Sequence, residues 1–234
     1  MTLIIDPYFF PTAFSPSDIS GLKLWLDAGQ GITKDGGDLV SAWADQSGEG
    51  NDVAQATGTN QPLWVSSGLN SLPTVQFDNV DNYMNRATFT GGAISSGFSV
   101  YLVVKIPTDG DNSTVFDGGS SRAIFSCDGG APNALLQIIN LTTIKSATEA
   151  TGTFVIYRCI FDGASSSLFA DRVSLVAGDA GAVGMNGITL NINSSFATAS
   201  CYGIELAEKL IYDSVLSVGD DDDVMTYLED KYAL

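Results

Sequence analysis

The chain contains no histidine. That removes imidazole-based triads, the usual near-neutral general base and the commonest zinc ligand. Cysteine is scarce: Cys127, Cys159 and Cys201 lie far apart, with no C-x-x-C spacing. Neither a zinc or redox motif nor a disulfide framework is indicated. Each thiol sits in an apolar stretch and reads as a small buried hydrophobe, which points to a reducing site of folding. Basic residues are few as well, 10 Lys and Arg against 27 Asp and Glu, for a net charge of −17. A surface this negative repels phosphate backbones and anionic lipid, so nucleic acid is excluded as a partner. The excess acid either keeps a chain of only 16% charged residues soluble or offers weak cation sites. No apolar run approaches the ~18 residues of a membrane span, so membrane insertion is not expected. The opening residues have no basic stretch, and Asp6 and Pro7 cut their apolar run, so they do not read as a secretory signal.

What is present is a globular composition. Hydrophobic residues make up 44% of 234, with 12 Phe, 8 Tyr and 3 Trp. A chain of this length buries roughly 70–75% of its extended surface and needs no staples. Residues 1–16 form an arm in which Pro7, Pro11 and Pro16 prevent a continuous helix or central strand. Leu3, Ile4, Ile5, Tyr8, Phe9, Phe10 and Phe14 make it strongly apolar. A disordered tail is poor in such residues, so the arm packs on its own domain or on a partner in an assembly. Residues 17–234 read as one domain.

Periodicity in that domain is that of strands. Leu22, Leu24 and Leu26 alternate with Lys23, Trp25 and Asp27, which predicts a half-buried strand with the leucines on one face. Residues 39–44 follow as a short strand, and 55–71 read as polar and turn-rich. Val75 and Phe77 point inward from the next strand. Residues 98–105 are apolar on both faces and therefore central. Residues 153–161 are central too, with Val155, Tyr157, Cys159 and Phe161 on one face, and 167–173 pair back as a hairpin. Shorter strands are expected at 114–116, 122–127, 134–139 and 187–192, and a long one within 200–213. Ten to twelve short strands separated by Gly, Asn, Asp and Ser turns give an all-β sandwich or barrel. One helix is expected near the end. Ser217 caps it, Asp220 completes a capping box, the acids at 220–223 suit its positive pole, and Val224, Leu228 and Tyr232 form its docking face. Those four acids lack the spacing of a calcium loop.

Several motifs then recur together. They are 16–28 (PSDISGLKLWLDA), 43–52 (WADQSGEGND), Pro73-x-Val75-x-Phe77-Asp78 with Asp81, and a C-terminal stretch from Ala207-Glu208 through Ile211-Tyr212-Asp213 to Tyr227-Leu228 and Lys231-Tyr232. This set resembles bacterial and phage concanavalin A-like (laminin G-like) domains, over residues 16 to 234. The family's usual glycines after Phe77-Asp78 and near the C-terminus are replaced by Asn79 and Ala233. The resemblance implies a concanavalin A-like jelly-roll β-sandwich of two antiparallel sheets with a short C-terminal helix. It implies little about activity, since the family holds binding modules, adhesion modules, virion proteins and glycosidases.

Glycoside hydrolysis would need two carboxylates roughly 5–5.5 Å or 6.5–9.5 Å apart. The nearest pattern is Glu205-Leu206-Ala207-Glu208, whose acids should point to opposite faces of a regular strand. No enzyme is therefore expected. For glycan or cation contact the candidates are Asp45, Asn51 and Asp52 in one loop and Asp78, Asp81 and Asn82 in the other. Amides and carboxylates bind sugar hydroxyls, and the same oxygens could hold a calcium ion, although no cofactor is required. The competing reading is that Asp45, Ser47 and Asn51 brace their own loop and that Trp43 is core. An apolar arm, free thiols and a lectin-like sandwich together describe a non-enzymatic virion component. It would be made in a host cytoplasm and displayed as phage capsid decoration or as a tail or fibre protein. The arm would join it to other virion proteins or to copies of itself, and the sandwich would touch host-surface polysaccharide. The alternative is an extracellular bacterial carbohydrate-binding module or glycoside hydrolase-like protein.

Overall fold

The computed structural model describes residues 14–108, 113–119, 123–128, 135–193 and 203–234. Leu3, Ile4, Ile5, Tyr8, Phe9 and Phe10 of the arm, and Cys201, lie outside the described residues. In chain order the strands are β1 (Leu22–Asp27), β2 (Ile32–Lys34), β3 (Val40–Trp43), β4 (Val53–Ala54), β5 (Leu63–Leu69) and β6 (Leu72–Gln76). Then come β7 (Met84–Arg86), β8 (Phe98–Lys105), β9 (Ser113–Asp117), β10 (Ile124–Asp128), β11 (Leu135–Asn140) and β12 (Thr142–Glu149). The last are β13 (Phe154–Phe161), β14 (Ser166–Ala170), β15 (Val173–Gly178), β16 (Ile188–Asn193) and β17 (Glu205–Tyr212), before helix α1 (Val218–Tyr232).

All pairings between these strands are antiparallel, and the strands make two sheets of a jelly-roll-type sandwich. An eight-stranded sheet runs β15-β14-β13-β8-β17-β6-β5, with β1 also on β17; a nine-stranded sheet runs β12-β11-β10-β9-β16-β7-β4-β3-β2. The two central strands of the first sheet are those whose apolar residues fall on both faces. Inward from β8 and β13 point Val100, Leu102, Val104, Val155, Tyr157, Cys159 and Phe161, which join Phe116, Phe125 and Leu136 of the opposite sheet in one core. Outward from the same strands point Tyr101, Val103 and Ile156, which form a second core with Val224, Met225, Leu228 and Tyr232 of α1. The molecule is thus three layers deep, and a strand buried on both sides has no polar face to show.

The chain's end is fastened from several directions. Ser217 Oγ accepts the Asp220 N–H and starts α1. Ala233 ends it in the left-handed region, at φ 52°. Two hairpin tips reach the helix from residues that are themselves left-handed. Asn70 (φ 48°) donates its amide to the Tyr232 carbonyl at 2.6 Å, and Arg172 (φ 67°) clamps Glu229 and Thr226 with its guanidinium. Phe14, counted with the arm, packs its ring on Tyr227 of the chain's own helix, and the Pro16 carbonyl accepts the Tyr212 hydroxyl.

Two bulges alter the facing expected from alternation. The β1–β17 register slips between Leu22 and Leu24, so Leu22 leaves its fellow leucines and joins the outer core. On β17 the register with β8 slips between Leu206 and Glu208. Glu205 and Glu208, expected on opposite faces, therefore both open on the outer face. One extra residue, Ala207, reverses the alternation.

Candidate functional site

The loop from Trp43 to Asp52 is fully engaged with its own scaffold. Trp43 is core, and its indole N–H donates to the Asp27 carbonyl at 3.0 Å. Asp45 Oδ1 accepts the N–H groups of Trp25 (2.8 Å) and Ser47 (2.9 Å). Its Oδ2 accepts the Ser47 hydroxyl (2.7 Å) and the Asn51 N–H (2.9 Å). Asn51 is fully buried; its amide donates to the Lys23 carbonyl (2.8 Å) and accepts the Thr90 N–H (2.7 Å). Asp52 accepts the Asp45 N–H at 2.9 Å, and the Gln46 N–H reaches the Trp25 carbonyl at 2.7 Å. The bonds to the Trp25 N–H and to the Trp25 and Lys23 carbonyls land on the edge of β1 that faces away from β17. The loop covers a strand edge that would otherwise be a template for association.

The second loop is also self-braced. Asp78 Oδ1 accepts three backbone N–H groups, from Val80, Asp81 and Asn82, and the Asn82 side chain accepts the Asp78 N–H. The structure thus keeps Asp45, Asn51 and Asp52 together in one loop and Asp78, Asp81 and Asn82 in another. Among the described residues no three Asp, Glu or Cys side chains gather in a metal-binding arrangement.

The bulge on β17 produces a polar cluster that the sequence pattern hid. Asp27 and Glu208 are cross-strand neighbours on the outer face. Like charges so placed repel, and Lys231 of α1 bridges them, 2.9 Å from Asp27 and 2.6 Å from Glu208. Glu208 also accepts the Trp25 indole N–H (2.7 Å), the Tyr227 hydroxyl (2.8 Å) and the Tyr232 hydroxyl (2.9 Å). Two donors therefore fill each of its oxygens. Burial pushes the Glu208 carboxyl up from its ordinary value, against the downward pull of Lys231. A carboxylate saturated with donors and sealed under a helix has no lone pair for a substrate. Glu205 is engaged with Thr74 and Lys105.

The open site lies at the other end of the same helix. Cross-strand register aligns Tyr101, Arg158 and Phe169 in one row across β8, β13 and β14, and Ser99, Ile160 and Ser167 in the next. Arg158 lies over the Phe169 ring at 3.7 Å from its centroid and pairs with Asp221 in the first turn of α1. The other Asp221 oxygen accepts the Tyr101 hydroxyl at 2.6 Å. Burial, with Asp221 alongside, raises the Tyr101 hydroxyl far above its usual range, so it stays a donor. Ser99 Oγ bonds Ser214 and Leu216 and fixes the segment that leads into the helix. A cleft of about 280 Å³ remains over this floor. One flank is Asp162, Ser165 and Ser167, whose side chains make no hydrogen bond among the described residues; the other is Val215, Leu216 and Val218. Val218 is 89% exposed and Val215 42%. Sequence reasoning missed this cleft because its parts lie far apart. The available signal was Arg158, a lone charge in an apolar central strand.

No family model and no curated protein matches the chain. Solved structures do match in fold. Trypanosoma rangeli sialidase in complex with sialic acid superposes with a TM-score of 0.61 at 12% identity, over 91% of this chain and 33% of that one. Domain 4 of AbnA, a GH43 extracellular arabinanase from Geobacillus stearothermophilus, in complex with arabinotriose, gives 0.59 at 16% identity, over 87% and 98%. The botulinum neurotoxin serotype G binding domain gives 0.62 at 11% identity, over 89% and 51%. The chain thus spans a third of the sialidase, about half of the toxin domain and nearly all of the arabinanase domain. At these identities the likeness is one of fold, a β-sandwich shared with enzymes and with binding domains alike.

Proposed function

We propose that the protein is a non-enzymatic, concanavalin A-like glycan-binding module. The cleft beside the start of α1 carries this reading, because it sets an apolar flank opposite a flank of unengaged polar groups. Sugars are bound in that way, by hydroxyl hydrogen bonds on one side and C–H contact on the other. The domain likenesses support it, since matched structures contain sialic acid and arabinotriose. Catalysis is disfavoured by the chemistry of the acids: the buried pair Asp27 and Glu208 is bridged by Lys231 and closed to a substrate.

The same proposal extends to display on a phage particle, with residues 1–13 as the anchor to other virion proteins or to further copies. Its support is the apolar composition of that segment, together with Cys127 and Cys159, free thiols whose burial pushes each up to about 12 and leaves them inert. A glycan array comparing the protein with Ser165→Trp, a substitution at an exposed rim position, tests the binding claim. Specific signal that the Trp variant loses is expected; equal signal from both would place binding elsewhere. Release of reducing sugar from a bound polysaccharide would overturn the non-enzymatic assignment. Removal of residues 1–13 should abolish incorporation into particles and leave a folded domain.

A further inference from the structure

On the strength of the glycan reading above, we infer that the cleft selects neutral, hydroxyl-rich saccharides and rejects carboxylated ones. Arg158 is its one basic side chain, against the acids Asp162 and Asp221. That guanidinium lies on the Phe169 ring and gives its Nη1 to Asp221. A sugar carboxylate drawn to Arg158 would lie beside the carboxylate of Asp221, which already offsets that positive charge. Asp221 in turn is held by the Tyr101 hydroxyl and sits in the first turn of a helix, where a negative charge is favoured. The group left over is Asp162, an exposed carboxylate whose side chain has no hydrogen-bond partner among the described residues, and which can only accept. A hydroxyl supplies the donor that it lacks, whereas a second carboxylate supplies repulsion. Ser165 and Ser167 can donate or accept and suit the same hydroxyl-rich face. Around the cleft the chain's net charge of −17 adds to the barrier for an anionic glycan and slows its approach.

The test is a matched panel at low ionic strength. Galactomannan, mixed-linkage β-glucan and dextran serve as neutral probes, and polysialate and polygalacturonate as carboxylated ones, against the wild-type chain and Asp162→Asn. Wild type should retain at least one neutral probe and hold the carboxylated ones at least tenfold more weakly. Asp162→Asn should narrow that gap several-fold. Equal or tighter binding of a carboxylated probe would overturn the selectivity and leave glycan binding standing. A gap that Asp162→Asn leaves unchanged would also overturn it, by removing the cleft as its source. Failure of every probe would overturn both.

Discussion

Two clusters of the same chemical kind lie under the two ends of α1. At its C-terminal half, Asp27, Glu208, Lys231, Tyr227, Tyr232 and Trp25 form a closed clasp; at its start, Asp221, Arg158, Tyr101 and Phe169 border an open cleft. Both combine acid, base and tyrosine on the outer face of one sheet. The difference is in saturation. Every Glu208 acceptor position has a donor, whereas the side chains of Asp162, Ser165 and Ser167 have no hydrogen-bond partner among the described residues. A filled cluster can only hold structure, and an unfilled one that faces solvent can hold a ligand. A perturbed carboxyl is therefore a poor guide to function until its donors have been counted.

The contrast can be broken most forcefully at Lys231. Lys231→Met removes the cation between two buried carboxylates and should destabilise the fold by about 3–5 kcal/mol in urea titration. A change below about 1 kcal/mol would show that the clasp does not need its charge. Lys209, which follows Glu208 on β17, carries the opposite fault. Lys209 points into the sandwich, its side-chain nitrogen 3.4 Å from the Phe116 ring centroid and without a hydrogen-bond partner among the described residues. Burial drives its pKa well below the usual lysine range. The unfolded chain then binds the proton more readily than the folded one. The penalty is absent above about pH 10.4 and grows by about 1.4 kcal/mol per pH unit as the pH falls, until the folded pKa is reached. Lys209→Met should therefore stabilise the protein at neutral pH, with a gain that shrinks toward pH 10; a pH-independent difference would contradict this.

Smaller effects sharpen the cleft side. Asp221→Asn keeps the shape but loses the charge opposite Arg158. In this part-buried pair, less enclosed than the clasp, it should cost about 1–3 kcal/mol. A loss equal to that of Lys231→Met would remove the distinction between the two clusters. Ala233→Gly should add about 1 kcal/mol by relieving a left-handed alanine, as judged by the shift in melting temperature. No gain would mean that the helix end frays.

The central strands were legible because burial on both faces leaves a continuous apolar run, as in residues 98–105, and the helix was legible from Ser217 and its spacing of Val224, Leu228 and Tyr232. The strands at 63–69 and 142–149 were not legible. Ser66-Ser67-Gly68 and Thr142-Thr143 lie in strands at the sheet edges, where little is buried and no alternation is needed. The bulges were invisible because a single extra residue leaves no compositional trace, yet they decide where Leu22 and Glu208 point. The motif loops were legible as motifs, with two roles open. Their hydrogen bonds favour the bracing of β1 and of the Asp78 turn. The cleft needs register across three strands plus a helix turn, which no local pattern encodes.

Backbone chemical-shift mapping during titration with the best neutral oligosaccharide tests the central claim most directly. The expected perturbations centre on Tyr101, Arg158, Ser165, Phe169 and Asp221, with residues 45–52 and 78–82 unmoved. Perturbations confined to those two loops would contradict it.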